Sequence, residues 1–289
     1  MHTYRFMEII RTISQLKAFT EKARSEGKSI GLVPTMGALH KGHLSLVEKA
    51  VAENDVVVAS VFVNPTQFNN PSDLATYPRT EEADFRLLQN AGVAAVFAPS
   101  AEEVYPSDSA PEKEYDLGSV AEVMEGRYRP GHFQGVAAIV SRLMRWTDAD
   151  RAYFGEKDFQ QIAVIRRMVQ TEGIGIDIVS CPIIREEDGL ALSSRNVRLT
   201  PSQRLTAPGI YRALSDSVEY SKTHSPQETI KKVTDEINKL EECEVEYFSI
   251  VDALSLQPVE DWQSADGQVQ GCITVYCGDV RLIDNIRYR

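Results

Sequence analysis

The run SIGLVPTMGALHKGHLSLVEKAVAENDVVVASVFV, residues 29–63, sets the architecture. Its first seven residues are short, apolar and broken by a proline, which suits a buried strand. Residues 42–54 then place Leu44, Val47 and Val51 at helical spacing. Residues 55–63 form a second strand, continuous enough in apolar side chains to be buried on both faces. A strand, a helix and a strand in succession imply a parallel pair joined by a right-handed crossover.

The same alternation continues outward. A helix over 79–92 closes at Gly92, and a strand follows over 93–99. The stretch 100–128 is acidic and less regular. Residues 135–146 put Val136, Ile139, Val140, Leu143 and Met144 on one helical face. A strand over 151–154, a helix over 159–173 and a strand over 176–184 complete the series. The expected fold class is α/β, a Rossmann-like doubly wound parallel sheet of five strands. After about Pro182 the character changes. Helices over 199–221 and 225–242 precede three strands, 245–252, 272–278 and 280–286, with no long crossovers. That pattern predicts a smaller C-terminal α+β domain over 182–289, following a Rossmann-like domain over 1–181.

Composition narrows the function. The net charge of −11, from 31 basic and 42 acidic residues, disfavours broad nucleic-acid or anionic-membrane binding. No apolar run approaches a membrane span, and the N-terminus lacks a signal-peptide pattern. Met7 is an alternative start, with residues 1–6 an unstructured extension. Cys181, Cys243, Cys272 and Cys277 form no CxxC pair and read as reduced, mostly buried thiols of a cytoplasmic protein.

His40 and His43 lie where the first strand gives way to the first helix. A helix N-terminus exposes unpaired N–H groups and suits phosphate. Residues at i and i+3 share a face there, so both imidazoles would point at one ligand, and Gly42 would allow close approach to the backbone. The plainer alternative is that one histidine caps the helix and the other is solvated. With five His and 17 Gly, independent placement yields about 0.005 chance matches to H-x-G-H. Neither G-x-G-x-x-G nor a P-loop is present, and two histidines without a third ligand make a weak zinc site. Further polar residues follow other predicted strands: Asn64 and Gln67, then Lys157, Asp158, Gln160 and Gln161, then Ser193, Ser194 and Arg195. Open parallel sheets bind ligands outside the carboxyl ends of their strands.

PTMGALHKGH resembles the H-x-G-H signature of the nucleotidyltransferase and class I synthetase superfamily, and LSSRN resembles its mobile phosphate-binding loop. Together with FVNPTQF, YPRT, RPGHFQGV and YFGEKDFQQ, these motifs make the chain similar to the pantothenate synthetases, or pantoate–β-alanine ligases. The resemblance runs over nearly the whole chain. Thr66 stands where a methionine is expected, and Gln134 where the family is often basic.

The resemblance implies an ATP-dependent ligation of pantoate to β-alanine through a pantoyl adenylate, giving pantothenate, AMP and pyrophosphate for coenzyme A biosynthesis. It implies catalytic roles for His40, His43, Lys157 and Arg195, with His43 as proton donor. ATP would lie along Met36, Gly37, Ala38, Leu39, Lys41 and Gly42. It would also meet Gly155, Glu156, Asp158 and Ile184, with Leu192, Ser193 and Ser194 at the triphosphate. Gln67, Gln161 and Asn64 would bind the substrates, with Arg129 nearby. Mg2+ is expected with the triphosphate. Glu81, Glu82, Asp84 and Asp158 are its candidate carboxylates, the first three reading equally well as a solvated helical turn. A homodimer is implied, and so is a C-terminal lid with Gly189 beside the serine loop. Three other readings stay open: another adenylyl- or cytidylyltransferase of this fold, an RNA-binding synthetase-like fragment, and an inactive scaffold.

Overall fold

In a computed structural model that describes residues 6–107, 113–264 and 267–289, six parallel strands form the larger sheet. They are β1 (Glu8–Ile10), β2 (Ile30–Thr35), β3 (Val56–Val61), β4 (Ala95–Phe97), β5 (Arg151–Gly155) and β6 (Asp177–Cys181). Their order is β1-β4-β3-β2-β5-β6. The sheet thus has one strand more than the sequence suggested. The addition, β1, is a three-residue edge strand with Ile9 opposite Val96, too short to carry a period. The expected extension over 1–6 lies outside the described residues except for exposed Phe6.

The helices before the second sheet are α1 (Ile13–Ser25), α2 (Lys41–Glu53), α3 (Pro71–Thr76), α4 (Glu81–Asn90), α5 (Ala101–Val104), α6 (Glu125–Tyr128), α7 (His132–Thr147) and α8 (Phe159–Glu172). Strand alternation decides which side each residue serves. Ile30, Leu32, Val56 and Val58 face α1, α7 and α8 in one core. Val33, Val57 and Ala59 face α2 and α4 in another. Burial on both sides explains the unbroken valine run in β3.

Strand β2 pairs with β3 on one side and β5 on the other. Chain order reverses at that point, so a crevice opens between the carboxyl ends of β2 and β5. Strand β6 stops at Cys181, earlier than the sequence suggested, because Pro182 has no N–H to donate to a ladder.

Beyond it come α9 (Pro201–Thr206), α10 (Gly209–Tyr220) and α11 (Pro226–Ile237). The single helix expected over 199–221 is divided near Pro208 into α9 and α10. Strands β7 (Cys243–Asp252), β8 (Val269–Cys277) and β9 (Val280–Arg287) form an antiparallel sheet. It has its own apolar core with α10 and α11. All four cysteines are buried free thiols. No helix among the described residues is long and apolar enough to cross a membrane.

A buried ionic node joins this sheet to the rest of the chain. Glu125 on α6 accepts from Arg281 Nη1 and Nη2 at 2.8 and 2.7 Å, from Tyr247 OH at 2.7 Å and from Thr274 Oγ1 at 3.0 Å. Arg129 lies 3.5 Å from the same carboxylate.

Candidate active site

The crevice between β2 and β5 opens into a cavity lined by residues from five separated segments. Each segment is held by identifiable contacts.

The loop after β2 turns on Gly37 at φ 80° and Ala38 at φ 50°. A non-glycine residue in this region carries strain, so surrounding bonds must hold it. The buried Asp84 carboxylate does so, accepting from Ala38 N at 2.9 Å and Leu39 N at 2.8 Å. Asp84 is therefore a scaffold for the loop, its oxygens taken up by backbone amides and Thr80. Glu81 pairs with Arg11, and exposed Glu82 approaches Arg86. None of these three lines the cavity; Asp158 is the one carboxylate among its described lining residues.

Helix α2 then begins with an unusual cap. His40 Nδ1 accepts from Gly42 N at 3.1 Å, and His43 Nδ1 accepts from His40 N at 3.4 Å. A ring nitrogen that accepts carries no proton, so each neutral imidazole holds its proton on Nε2. The rings lie 4.1 Å apart between centroids. Both side chains thus take part in the cap and both line the cavity, so neither is the solvated histidine of the plainer alternative. Burial, reinforced by the Lys157 charge, lowers His40 to about 4 despite an opposing contribution from Asp158. Burial, with His40 and Lys157, lowers His43 to about 3. Both rings are neutral N–H donors at pH 7. Gly42 is required sterically, since a Cβ there would sit 2.9 Å from His40 Nδ1 and Cε1.

The loop after β3 presents Gln67 from a short turn, Pro65–Gln67. Asn64 is fully engaged: its Nδ2 donates to Gln67 Oε1 and Gly135 O, and its Oδ1 accepts from Thr66 and Tyr105. It lines the cavity and is bonded to Gln67, whose Nε2 has, among the described residues, only the weak acceptor Met36 Sδ at 3.3 Å. The Gln67 carbonyl accepts from His132 Nδ1 at 2.8 Å and Arg129 Nη2 at 3.3 Å. His132 is also lowered to about 4, by burial first and by Arg129 second. Thr66 completes this turn. Gln134 pairs with the Tyr115 backbone and does not line the main cavity, so neither departure from the family motifs removes a cavity group.

Gly155 ends β5 at the cavity, and Lys157, Asp158 and Gln161 follow it there. Gln161 has no side-chain hydrogen bond among the described residues, whereas its neighbour Gln160 is spent on Glu125 N and the carbonyls of Val120 and Val123. Lys157 Nζ lies 3.6 Å from Asp158.

The last segment carries Leu192, Ser193, Ser194 and Arg195 back across the opening. Ser194 Oγ donates to Ala38 O at 3.0 Å, latching this loop onto the His40 loop. Arg195 pairs with Asp73 on α3 at 2.8 Å, and that carboxylate also takes Arg198 at 2.9 Å. Burial opposes the Arg195 charge, but Asp73 outweighs it and raises the guanidinium pKa. Gly189 is explained by its backbone, at φ 94°, and by packing, because a Cβ there would lie 2.5 Å from Tyr211 Cδ1.

Of the residues singled out in the sequence, Met36, His40, Gly42, His43, Asn64, Gln67, Arg129, Gly155, Lys157, Asp158, Gln161, Ile184, Leu192, Ser193, Ser194 and Arg195 line this cavity. Gly37, Ala38, Leu39, Lys41 and Glu156 do not; the first three shape its rim from behind, and Lys41 is exposed. Sequence reasoning passed over Tyr77, Asp73 and His132. Tyr77 and His132 stand within the quoted YPRT and RPGHFQGV motifs, so the signal was present without a distance to interpret it. Apolar side chains Phe62, Val136, Ile139 and Val140 form one wall.

A family model described as pantoate-beta-alanine ligase matches residues 8–287. The chain is 60% identical to the pantothenate synthetase of Porphyromonas gingivalis, covering 98% of this chain and 99% of that one. The crystal structure of pantothenate synthetase from Thermus thermophilus superimposes with a TM-score of 0.89 at 44% identity, covering 98% and 99% of the two chains. The pantoate-beta-alanine ligase of Francisella tularensis, solved in complex with beta-gamma ATP and β-alanine, gives a TM-score of 0.81 at 36% identity, with 98% of each chain covered.

Proposed function

The chain belongs to the pantoate–β-alanine ligase family of enzymes, and on that premise we propose that it joins pantoate to β-alanine through a pantoyl adenylate. One observation carries the reading: His40, His43, Lys157, Arg195 and both serines border the same cavity as Gln67 and Gln161. Phosphate donors and carbonyl-directed amides are thereby placed around one volume.

The chemistry explains the need for both sets. A carboxylate is a poor acyl donor. Attack of a pantoate carboxylate oxygen on the α-phosphorus breaks the bond to pyrophosphate and makes AMP the later leaving group. Negative charge grows on the α-phosphate oxygens and on pyrophosphate during this step. His40 and His43 direct neutral Nε2–H donors at it, and Lys157 and Arg195 add positive charge. Donors set in advance where charge develops are each worth about 10²–10³ in rate. The neutral amine of β-alanine then attacks the acyl carbon, AMP leaves with the former carboxylate oxygen, and the amine gives up a proton.

Substrate placement follows from the same lining. Gln67 Nε2 and Gln161 would hold the hydroxy acid, and the wall of Phe62, Val136 and Ile139 would take its methyl groups. The serine loop, latched on Ala38, would keep water from the adenylate. On this reading residues 182–289 act as the smaller domain that delivers that loop, dividing from residues 1–181. Magnesium, when bound, neutralises triphosphate charge. Asp158, the one carboxylate among the described lining residues, would help hold such an ion beside the triphosphate. A cytoplasmic homodimer accompanies the proposal, and sedimentation of the purified protein checks the dimer.

The test is exchange of labelled pyrophosphate into ATP. Pantoate alone should support it without β-alanine. Exchange that requires β-alanine, or none with pantoate, would reject the adenylate.

A further inference from the structure

Asn285 lies in β9, in the second sheet, yet its side chain reaches the turn that carries Lys157. Its Nδ2 donates to the carbonyl of Glu156 at 2.8 Å and to that of Lys157 at 3.1 Å. Its Oδ1 accepts from Gln270 Nε2 of β8 at 2.7 Å. Both amide protons and the oxygen are committed, so the group has one orientation. Asn285 and Gln270 are 5% and 7% exposed, and an unpaired polar group at that depth is costly.

We infer that Asn285 is a positioning residue for Lys157, with Gln270 fixing the amide that does the positioning. A lysine side chain is a flexible stem, so where its ammonium dwells depends on how firmly its backbone is anchored. Here two successive carbonyls of the Glu156–Asp158 turn are gripped from a different sheet. The preceding residue of β9 does a parallel job for the serine loop. Asp284 accepts from both Arg185 Nη atoms, at 2.6 and 2.9 Å, and Arg185 stacks over Tyr211 at 3.7 Å. Leu192 N closes that segment by donating to Ile184 O at 3.0 Å, just before Ser193. Consecutive residues of one strand therefore hold the two cavity segments that bear Lys157 and the serines. The inference rests on the reading that Lys157 acts on the triphosphate.

A double-mutant cycle tests it by pantoate-dependent ATP–pyrophosphate exchange in the wild type, Lys157→Ala, Asn285→Ala and the double variant. If Asn285 acts through Lys157, Asn285→Ala lowers kcat about tenfold in the wild type, with KM for pantoate held within about twofold, and less than about twofold once Lys157 is gone. Equal losses on both backgrounds, or a variant within about twofold of wild type, overturn the inference. Circular dichroism checks folding. Should Asn285→Ala fail to fold, Gln270→Glu replaces it in the same cycle, because a carboxylate there favours the flipped amide and turns Oδ1 toward the two carbonyls. A loss that vanishes on the Lys157→Ala background supports the inference, and one that persists there overturns it. Absence of pantoate-dependent exchange in the wild type would instead reject the functional reading itself.

Discussion

Replacing Glu125 with glutamine removes the charge at the centre of the node between the two sheets while keeping the side chain's shape. Burial alone would raise this carboxyl. The Arg281 hydrogen bonds and charge, helped by Tyr247 and Arg129, outweigh burial and lower it from 4.5 to about 2. The side chain is 11% exposed, so solvent screening is slight. Each pH unit of difference is worth about 1.36 kcal/mol, which gives about 3 kcal/mol. The folded pKa lies below the unfolded one. The contribution is therefore complete above about pH 4.5 and disappears as pH falls toward 2. Urea unfolding at pH 7 should show Glu125→Gln less stable by about 3 kcal/mol, within the range for breaking a buried pair, with Arg281 keeping its second partner Glu246 at 2.5 Å. The same comparison at pH 4, 3.5 and 3 should show the two proteins converging. A variant within about 0.5 kcal/mol of wild type at pH 7, or a difference that stays constant to pH 3, would refute the reasoning.

Gly42→Ala should separate activity from stability. Alanine favours a helix by about 0.5–1 kcal/mol, yet its Cβ would displace the His40 ring from its cap. A lost cap costs about as much as the alanine gains, so Tm should shift little while kcat falls; a large drop in Tm with an unchanged rate contradicts this. The free protein's His40 and His43 should not titrate between pH 5.5 and 8, because burial holds them at about 4 and 3. Below 6.5 the unfolded chain protonates its histidines first, so these two weaken the fold as pH drops. Nitrogen-15 NMR of the imidazoles decides, and a midpoint near 6.5 in either ring overturns the tautomer argument. Gly135→Ala puts a Cβ 2.4 Å from Thr66 O and 2.7 Å from Gln67 N, both backbone atoms. It should cost about 1–3 kcal/mol by urea unfolding and raise KM for pantoate; unchanged values would show that the Gln67 turn tolerates movement.

Much of this was legible from residues 29–63, because a strand buried on both faces and an amphipathic helix have different hydrophobic periods. The terminal strands of a sheet are harder. Glu8–Ile10 makes one short ladder with β4, and three residues cannot reveal alternation. The candidate site was legible as residue types following strands, and the sheet's switch point brought most of them together. What sequence could not supply was which polar group supports which. Asp84 appeared as a candidate for magnesium and instead holds the Ala38 and Leu39 amides. Asn64 appeared as a substrate ligand, and it lines the cavity with its amide protons shared between Gln67 and Gly135. These assignments depend on contacts between segments more than 40 residues apart or on the direction of one amide, and neither has a local signature.

The most direct measurement uses pantoate labelled with oxygen-18 in its carboxylate, mixed with ATP, magnesium, β-alanine and the protein. Mass spectrometry of the nucleotide product should find one labelled oxygen in AMP and none in pyrophosphate. Unlabelled AMP, or ADP with label in inorganic phosphate, would contradict attack of the carboxylate on the α-phosphorus.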